Sequence, residues 1–332
     1  MKMERNFRDK IFQINNDSDF LNQALNTFEY QYKNNAVYRD FAESLNKNPE
    51  TVSKLEEIPF LPIEFFKNHI VISGGKEAQI VFESSGTTGN FTSRHYVADA
   101  KLYIESFVKT FSMFYGDPCE YAIIALLPSY TERENSSLVY MVNTLIKMSC
   151  HPLSGFYKVT NSALFKNIAS IGEGRKILLL GVSFALLDLA EMERPDLSGA
   201  IVMETGGMKG RRKEITRQEL HKILAKAFNV PVIHSEYGMT ELLSQAYSKG
   251  NGVFYHPPWM TVVLRDLYDP LFLLTEAGQT GGINIIDLAN IDSCSFIATG
   301  DIGKLLPDGG FEVLGRFDNS DIRGCNLLIE NI

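Results

Sequence analysis

Between Tyr121 and Gly238, short continuous apolar runs alternate with stretches of helical period, and this alternation most restricts the possible folds. Tyr121 to Leu127, Lys176 to Gly181, Ala200 to Glu204 and Val230 to Ile233 read as buried strands. Ser136 to Lys147, Asn161 to Ile171 and Thr216 to Phe228 read as helices between them. A strand that is apolar throughout has both faces covered, and strands separated by helices return in parallel. The expectation is therefore an α/β protein built on a largely parallel sheet. Ahead of it, residues 18 to 47 read as a helical layer carrying Phe20, Leu21, Leu25, Phe28 and Tyr32 on one face, capped at Asp17 or Ser18. The two prolines of the segment from Ile58 to Lys67 favour an extended path with its aromatics in the core. Asp99 caps a helix running to about Tyr115. From about Gly252 the texture changes to short apolar runs at 260–264, 271–274, 282–288 and 311–314, separated by Gly, Pro and Asp, as in a smaller β-rich subdomain. The expected division is 1–80, 81–251, 252–318 and 319–332, all within one structural unit.

Several of these strands end in polar or glycine-rich loops, and in open α/β sheets ligands bind beyond the carboxyl ends of the strands. The run Val81-Phe82-Glu83 leads into Ser84-Ser85-Gly86-Thr87-Thr88-Gly89. Two glycines let successive N–H groups point into one concavity, and four hydroxyls add donors, which suits a polyphosphate. The same run is also what a polar surface turn looks like. It is not a Walker loop, because Gly89 is followed by Asn90 rather than Lys. Thr205, Gly206 and Gly207 would let a flat ring approach the backbone, and within Glu236-Tyr237-Gly238-Met239 the ring of Tyr237 offers a stacking surface. Thr240 adds a donor, and Glu241 a hard oxygen ligand for Mg²⁺. Taken one at a time, these are equally a core aromatic, a helix-start carboxylate and ordinary turns.

The chain has 332 residues and a formal net charge of −8, which gives no general attraction to nucleic acid or to an anionic membrane surface. Its N-terminus lacks the apolar core of a signal peptide, and no run is long enough to span a bilayer. Cys119, Cys150, Cys294 and Cys325 form no C-x-x-C pair, so a reducing cytoplasm is the expected compartment. Cys119, Cys150 and Cys294 are expected in the core. The six histidines make no ligand pair for zinc.

The polar motifs continue in order with Thr299-Gly300-Asp301 and Gly315-Arg316-Phe317-Asp318. Together with 84–89, 205–207 and 237–241, they resemble the adenylate-forming superfamily of acyl-CoA synthetases, peptide-synthetase adenylation domains and luciferases. The strings at 58–67, 204–210 and 321–326 make the chain look most like the LuxE-type acyl-protein synthetases within it. The resemblance implies the large N-terminal domain of that fold, with layered α/β sheets and a small β-rich subdomain. It implies that a carboxylic acid, expected to be a fatty acid, is joined to ATP as an acyl-adenylate with Mg²⁺ and passed to a thiol. The acceptor would be Cys325, or a partner carrier protein or reductase. By the same resemblance Asp301 binds ribose, Tyr237 stacks on adenine, Thr240 touches the α-phosphate and Glu241 holds Mg²⁺. Arg323 beside Cys325 would lower its pKa.

There are departures from the pattern. Many relatives carry a Lys after the phosphate loop, for which Arg94 is the candidate replacement. Ser235 stands where many have Asn or Asp. Ile332 lies fourteen residues beyond Asp318, so a mobile lid with its catalytic Lys is expected to be absent, with Lys209 and Arg316 as candidates to supply the charge. Two other readings stay open: coenzyme A as the acceptor, and a non-catalytic nucleotide-binding scaffold. Phe156, Tyr157, Trp259 and Met260 are candidates for an acyl pocket or for plain core.

Overall fold

The computed structural model describes residues 8, 10–84, 92–127, 135–160, 164–172, 174–192, 196–206, 212–213, 215–274 and 276–317. In chain order the strands are β1 (Leu61–Pro62), β2 (Ile80–Glu83), β3 (Arg94–Val97), β4 (Tyr121–Leu126), β5 (Gly155–Phe156), β6 (Lys176–Val182), β7 (Ala200–Thr205), β8 (His234–Tyr237), β9 (Ala246–Ser248), β10 (Val253–Phe254), β11 (Met260–Arg265), β12 (Leu273–Leu274), β13 (Thr280–Asp287), β14 (Phe296–Leu305) and β15 (Phe311–Arg316).

They form three sheets. A six-stranded sheet runs β5-β4-β6-β7-β8-β9, parallel except for the last pair. A seven-stranded sheet runs β10-β15-β14-β13-β11-β12 with antiparallel neighbours, and β1 adds in parallel beside β14. A hairpin of β2 and β3 carries the segment between Ser84 and Arg94.

Local chemistry explains the helices. Asp99 accepts from the backbone N–H groups of Lys101 and Leu102 and starts the helix Ala100–Tyr115. Thr216 and Glu219 close a reciprocal capping box on the helix Arg217–Phe228. These helices bury Leu102, Phe107 and Phe111, and Leu220, Leu224 and Phe228, respectively. Ile124, Leu178, Leu179 and Val202, fully buried, form the centre of the six-stranded sheet.

Four expectations are corrected. The helical layer at 18–47 is two helices, Asp17–Asn34 and Ala36–Ser44. Asn35 ends one and caps the next, and its Nδ2 donates to Ser293 O at 2.9 Å, so a long-range bond fixes the break. The strand expected at 230–233 begins instead at His234, past Pro231, which has no N–H for a ladder. Of 271–274 only Leu273–Leu274 pair, with Leu271 and Phe272 exposed at the tip. Cys119 and Cys150 are exposed, Cys119 in a surface 3₁₀ turn and Cys150 in the left-handed position after a helix; Cys294 alone of the three is buried.

Two of the longer elements were not anticipated. The helix Ser183–Met192 follows β6 with no polar break, so the apolar run hides the junction. The ten-residue β14 contains Gly300, Asp301 and Gly303, residues depleted in strands. Gly303 is required there: a Cβ would sit 2.6 Å from both Glu312 O and Ile283 Cδ1 on its neighbours.

Candidate active site

The parallel sheet delivers two loops side by side. β7 ends at Thr205 and Gly206, the latter at φ +65°, where glycine is at no disadvantage. β8 ends at Glu236 and Tyr237, and Thr205 pairs with Glu236 in register. The Thr205 hydroxyl donates to the Glu236 carboxylate, and a Cβ on Gly238 would lie 2.5 Å from Glu236 Oε1. Glu236 thus binds the two loops together. Its burial, with Glu204 adding repulsion, pushes its pKa up to about 7. Glu204, in register with Ser235, is buried near Arg217 at 3.4 Å and His221 at 3.6 Å. Burial favours its neutral form, but His221 and Arg217 outweigh it and hold the carboxyl below the ordinary range. Ser183 at the end of β6 donates to Gly206 O at 2.6 Å.

The antiparallel sheet supplies the opposite side. Asp301 is buried in β14, where Tyr237 OH donates to Oδ2 at 2.7 Å and Arg316 Nε to Oδ1 at 2.9 Å. The Tyr237 ring packs against Phe254 and Phe311 at centroid separations of 5.8 and 5.7 Å. Buried Arg265 reaches from β11 to donate to Thr299 O at 2.5 Å and to Ile283 O and Asn284 Oδ1, each at 2.7 Å. It thereby fixes the backbone on which Asp301 sits.

Between the two lies the turn after β8. Glu241 is buried, and desolvation raises its pKa, opposed by a bond from Ser93 and by the charges of Arg316 and Lys67. Ser93 in turn donates its N–H to Ser84 Oγ at 3.0 Å. The backbone of the turn is held from behind. His95 Nδ1 lies 2.8 Å from Thr240 O, and Asn290 Nδ2 donates to Glu241 O at 2.7 Å. Asp287 accepts from the N–H groups of Leu243 and Ser244 at 2.8 and 2.9 Å. Burial pushes the His95 pKa down to about 4, against its two oxygen neighbours, Thr240 O and Asn290 Oδ1.

The sequence-predicted residues Ser84, Thr205, Gly206, Glu236, Tyr237, Gly238, Met239, Thr240, Glu241, Asp301 and Arg316 thus fall on three elements joined by direct bonds. Arg94 lies on the same hairpin, half exposed, with Nε 3.2 Å from Glu83 Oε1. Trp259 and Met260 are buried; Trp259 Nε1 donates toward Ser106 and Ser244. Phe156 and Tyr157 are half-buried beside β4. Ser85, Gly86, Thr87, Thr88, Gly89, Gly207, Lys209 and Cys325 lie outside the described residues. Sequence reading gave no role to His95, Asp287, Asn290, Arg265 or Glu204, although Glu204 opens the string 204–210 and His95 stands next to Arg94.

The donor set fits a nucleoside triphosphate with one Mg²⁺. Glu241 is a single buried carboxylate met by Ser93 of the hairpin that carries Ser84, and Mg²⁺ is commonly held by one or two carboxylates plus substrate phosphates. No cluster of three or more metal-ligating side chains occurs among the described residues, so a cation here would draw its other ligands from phosphate and water. Bound there, the ion would neutralise negative charge on the phosphates.

The fold is that of the N-terminal part of the adenylate-forming enzymes. It matches a 2-hydroxyisobutyryl-CoA ligase in complex with 2-HIB-AMP at a TM-score of 0.66 and 14% identity, over 91% of this chain and 68% of that one. It matches ATP-bound MatB from Rhodopseudomonas palustris at a TM-score of 0.53 and 17% identity, over 71% of this chain. The aligned part spans about half of MatB, 47% of its length. In sequence the chain is 26% identical over 331 residues to the long-chain-fatty-acid–luciferin-component ligase of Vibrio harveyi, covering 90% of this chain and 84% of the relative. No model of a known protein family matches it. Among the described residues, no helix is long and apolar enough to cross a membrane.

Proposed function

We propose that this protein is an ATP-dependent ligase of the LuxE type, which activates a carboxylic acid, in our reading a long-chain fatty acid, and hands the acyl group to a thiol. One observation carries the reading: contacts run from Ser84 through Ser93 to Glu241 and from Arg316 through Asp301, Tyr237 and Glu236 to Thr205, with the charge of Arg316 acting on Glu241. Each member beyond Ser93, Glu236 apart, belongs to a motif of the adenylate-forming pattern. The Vibrio harveyi relative, by its name a ligase of long-chain fatty acid, supports the choice of acid.

In the first step a carboxylate oxygen of the acid attacks the α-phosphorus of ATP. The bond from that phosphorus to the bridging β-oxygen breaks, and pyrophosphate leaves with the electron pair. Asp301 accepts hydrogen bonds from the ribose hydroxyls, and the Tyr237 ring lies against adenine. Thr240 donates to the α-phosphate, and the loop from Ser84 to Gly89 holds the leaving group with Arg94 at its margin. Fixed donors of this kind favour the charge that grows in an in-line displacement. Glu241 holds Mg²⁺, which supplies charge neutralisation. In the second step a thiolate, that of Cys325 or of a carrier or reductase partner, attacks the acyl carbonyl carbon; the bond to the AMP oxygen breaks and AMP departs.

The deciding experiment is an acid-dependent exchange of labelled pyrophosphate into ATP, followed by a search for a hydroxylamine-labile adduct. Exchange with a fatty acid and an adduct lost in Cys325→Ser fit the reading. No exchange with any acid overturns it. Acyl-CoA formation without an adduct instead moves the acceptor to coenzyme A, the thiol named for the 2-hydroxyisobutyryl-CoA ligase.

A further inference from the structure

One imidazole joins all three elements of the site. His95 sits on β3, on the hairpin that carries the segment from Ser84, and is fully buried. Its Nδ1 lies 2.8 Å from the carbonyl oxygen of Thr240, and its Nε2 lies 3.0 Å from Asn290 Oδ1. Asn290 spends both amide hydrogens on carbonyls, donating to Glu241 O at 2.7 Å and Cys294 O at 2.8 Å. Asn290 is itself held, because Gln31 Nε2 donates to its carbonyl at 3.2 Å from the N-terminal helix. The carbonyls of Thr240 and Glu241 are consecutive. They are held by one side chain from the hairpin and one from the 3₁₀ turn Leu288–Asn290 that follows β13, and those two side chains lie against each other.

We infer that His95 and Asn290 are a positioning pair that sets where Thr240 and Glu241 stand relative to the hairpin carrying Ser84. The inference rests on the ligase reading above. Neither side chain is placed to touch substrate: both point at backbone oxygens and are buried. Their effect passes through the turn. A buried carboxylate such as Glu241 has a useful direction only if the backbone beneath it is fixed, as supporting partners fix metal ligands elsewhere. Phe66 packs its ring edge-on against His95 at 5.8 Å, closing the remaining side of the imidazole.

The test compares His95→Ala, His95→Gln and Asn290→Ala with the wild type in pyrophosphate exchange at varied Mg²⁺. Amide hydrogen exchange across residues 238–246 is followed in parallel. His95→Ala is expected to raise the Mg²⁺ concentration for half-maximal exchange and to lower kcat by about 10- to 100-fold, with the KM for the acid little changed. His95→Gln keeps an amide donor for Thr240 O and recovers a substantial part. Amides 238–246 exchange faster in both alanine variants, while those of Leu178 to Leu180 in the parallel sheet keep wild-type protection. Wild-type Mg²⁺ dependence and wild-type protection in His95→Ala would overturn the pairing. So would a uniform loss of protection over the whole molecule, since it assigns His95 to general stability. If the wild type itself exchanges no pyrophosphate with any acid, the ligase reading falls, and amide protection alone then decides whether the pair positions the turn.

Discussion

The two large sheets meet at the site but contribute to it by opposite means. The parallel sheet is apolar through its middle, and its chemistry begins where its strands end, at Thr205 and Glu236. The antiparallel sheet carries its chemistry within and at the close of its strands: Asp301 and Thr299 inside β14, Asp287 ending β13, Arg265 ending β11. The first offers loops and leaves them free to accept a ligand. The second offers a buried polar frame that holds the loops of the first in place. Truncating an apolar residue should therefore cost stability in the one, and truncating a polar residue should cost stability and geometry together in the other.

The largest expected effect is at Asp287. Asp287→Ala leaves the N–H groups of Leu243, Ser244 and Ala289 without their acceptor, and at about 1–3 kcal/mol for each buried unpaired group the loss is at least about 3 kcal/mol. Leu179→Ala in the center of the parallel sheet should lose a similar amount, about 2–5 kcal/mol. Urea denaturation will read both. They part in activity per folded molecule, which falls in Asp287→Ala and stays near wild type in Leu179→Ala; equal activity would erase the distinction between the sheets.

Two buried titratable groups give the comparison a pH signature. The Glu236 carboxyl has its pKa raised from 4.5 to about 7, so the folded state binds its proton more tightly than the unfolded chain. That contribution is complete below pH 4.5 and is lost as pH rises through 7. The loss is up to about 3 kcal/mol, from about 1.4 kcal/mol per pKa unit. Glu236→Gln should accordingly raise Tm at pH 8 and leave it unchanged at pH 4.5, a result that thermal melts at both values can refute. His95 behaves oppositely. Its pKa falls from 6.5 to about 4, so the unfolded chain binds the proton more tightly and stability declines as pH drops from 6.5 toward 4. His234, lowered to about 4 by burial and then by Lys249, adds to the same acid limb. Replacing either histidine with Gln should flatten that limb in pH-dependent unfolding.

The smallest structural effect is expected at Arg94. Its pair with Glu83 is half exposed, so Arg94→Ala should change stability by less than about 1 kcal/mol. If it meets phosphate as proposed, the KM for ATP rises by about tenfold or more, the scale of a charged hydrogen bond. An unchanged KM would leave the hairpin without that charge.

What could be read from the chain follows the same division. β4, β6 and β7 were legible because continuous apolar runs have a local signature, and the helix starts at Asp99 and Thr216 because caps do. The strand-end loops followed from their glycines and hydroxyls. β14 was hidden because a strand containing Gly300, Asp301 and Gly303 looks like a loop until its neighbours are known. His95, Asn290 and Asp287 were hidden for a related reason. Asn290 and His95 are 195 residues apart, and nothing local to either marks a bond over that distance. The break at Asn35, fixed by Ser293, was missed in the same way.

In the proposed reaction, loops of one sheet and the frame of the other together make an acyl-adenylate. This is tested most directly by acid-dependent pyrophosphate exchange in the wild type and in Glu241→Gln, which removes the carboxylate at their meeting point while keeping its shape. Exchange with a long-chain acid is expected in the wild type, with a fall of about 100-fold or more in the variant at matched folded fraction. Exchange that survives undiminished in Glu241→Gln, or that no acid elicits from the wild type, would contradict the proposed reaction.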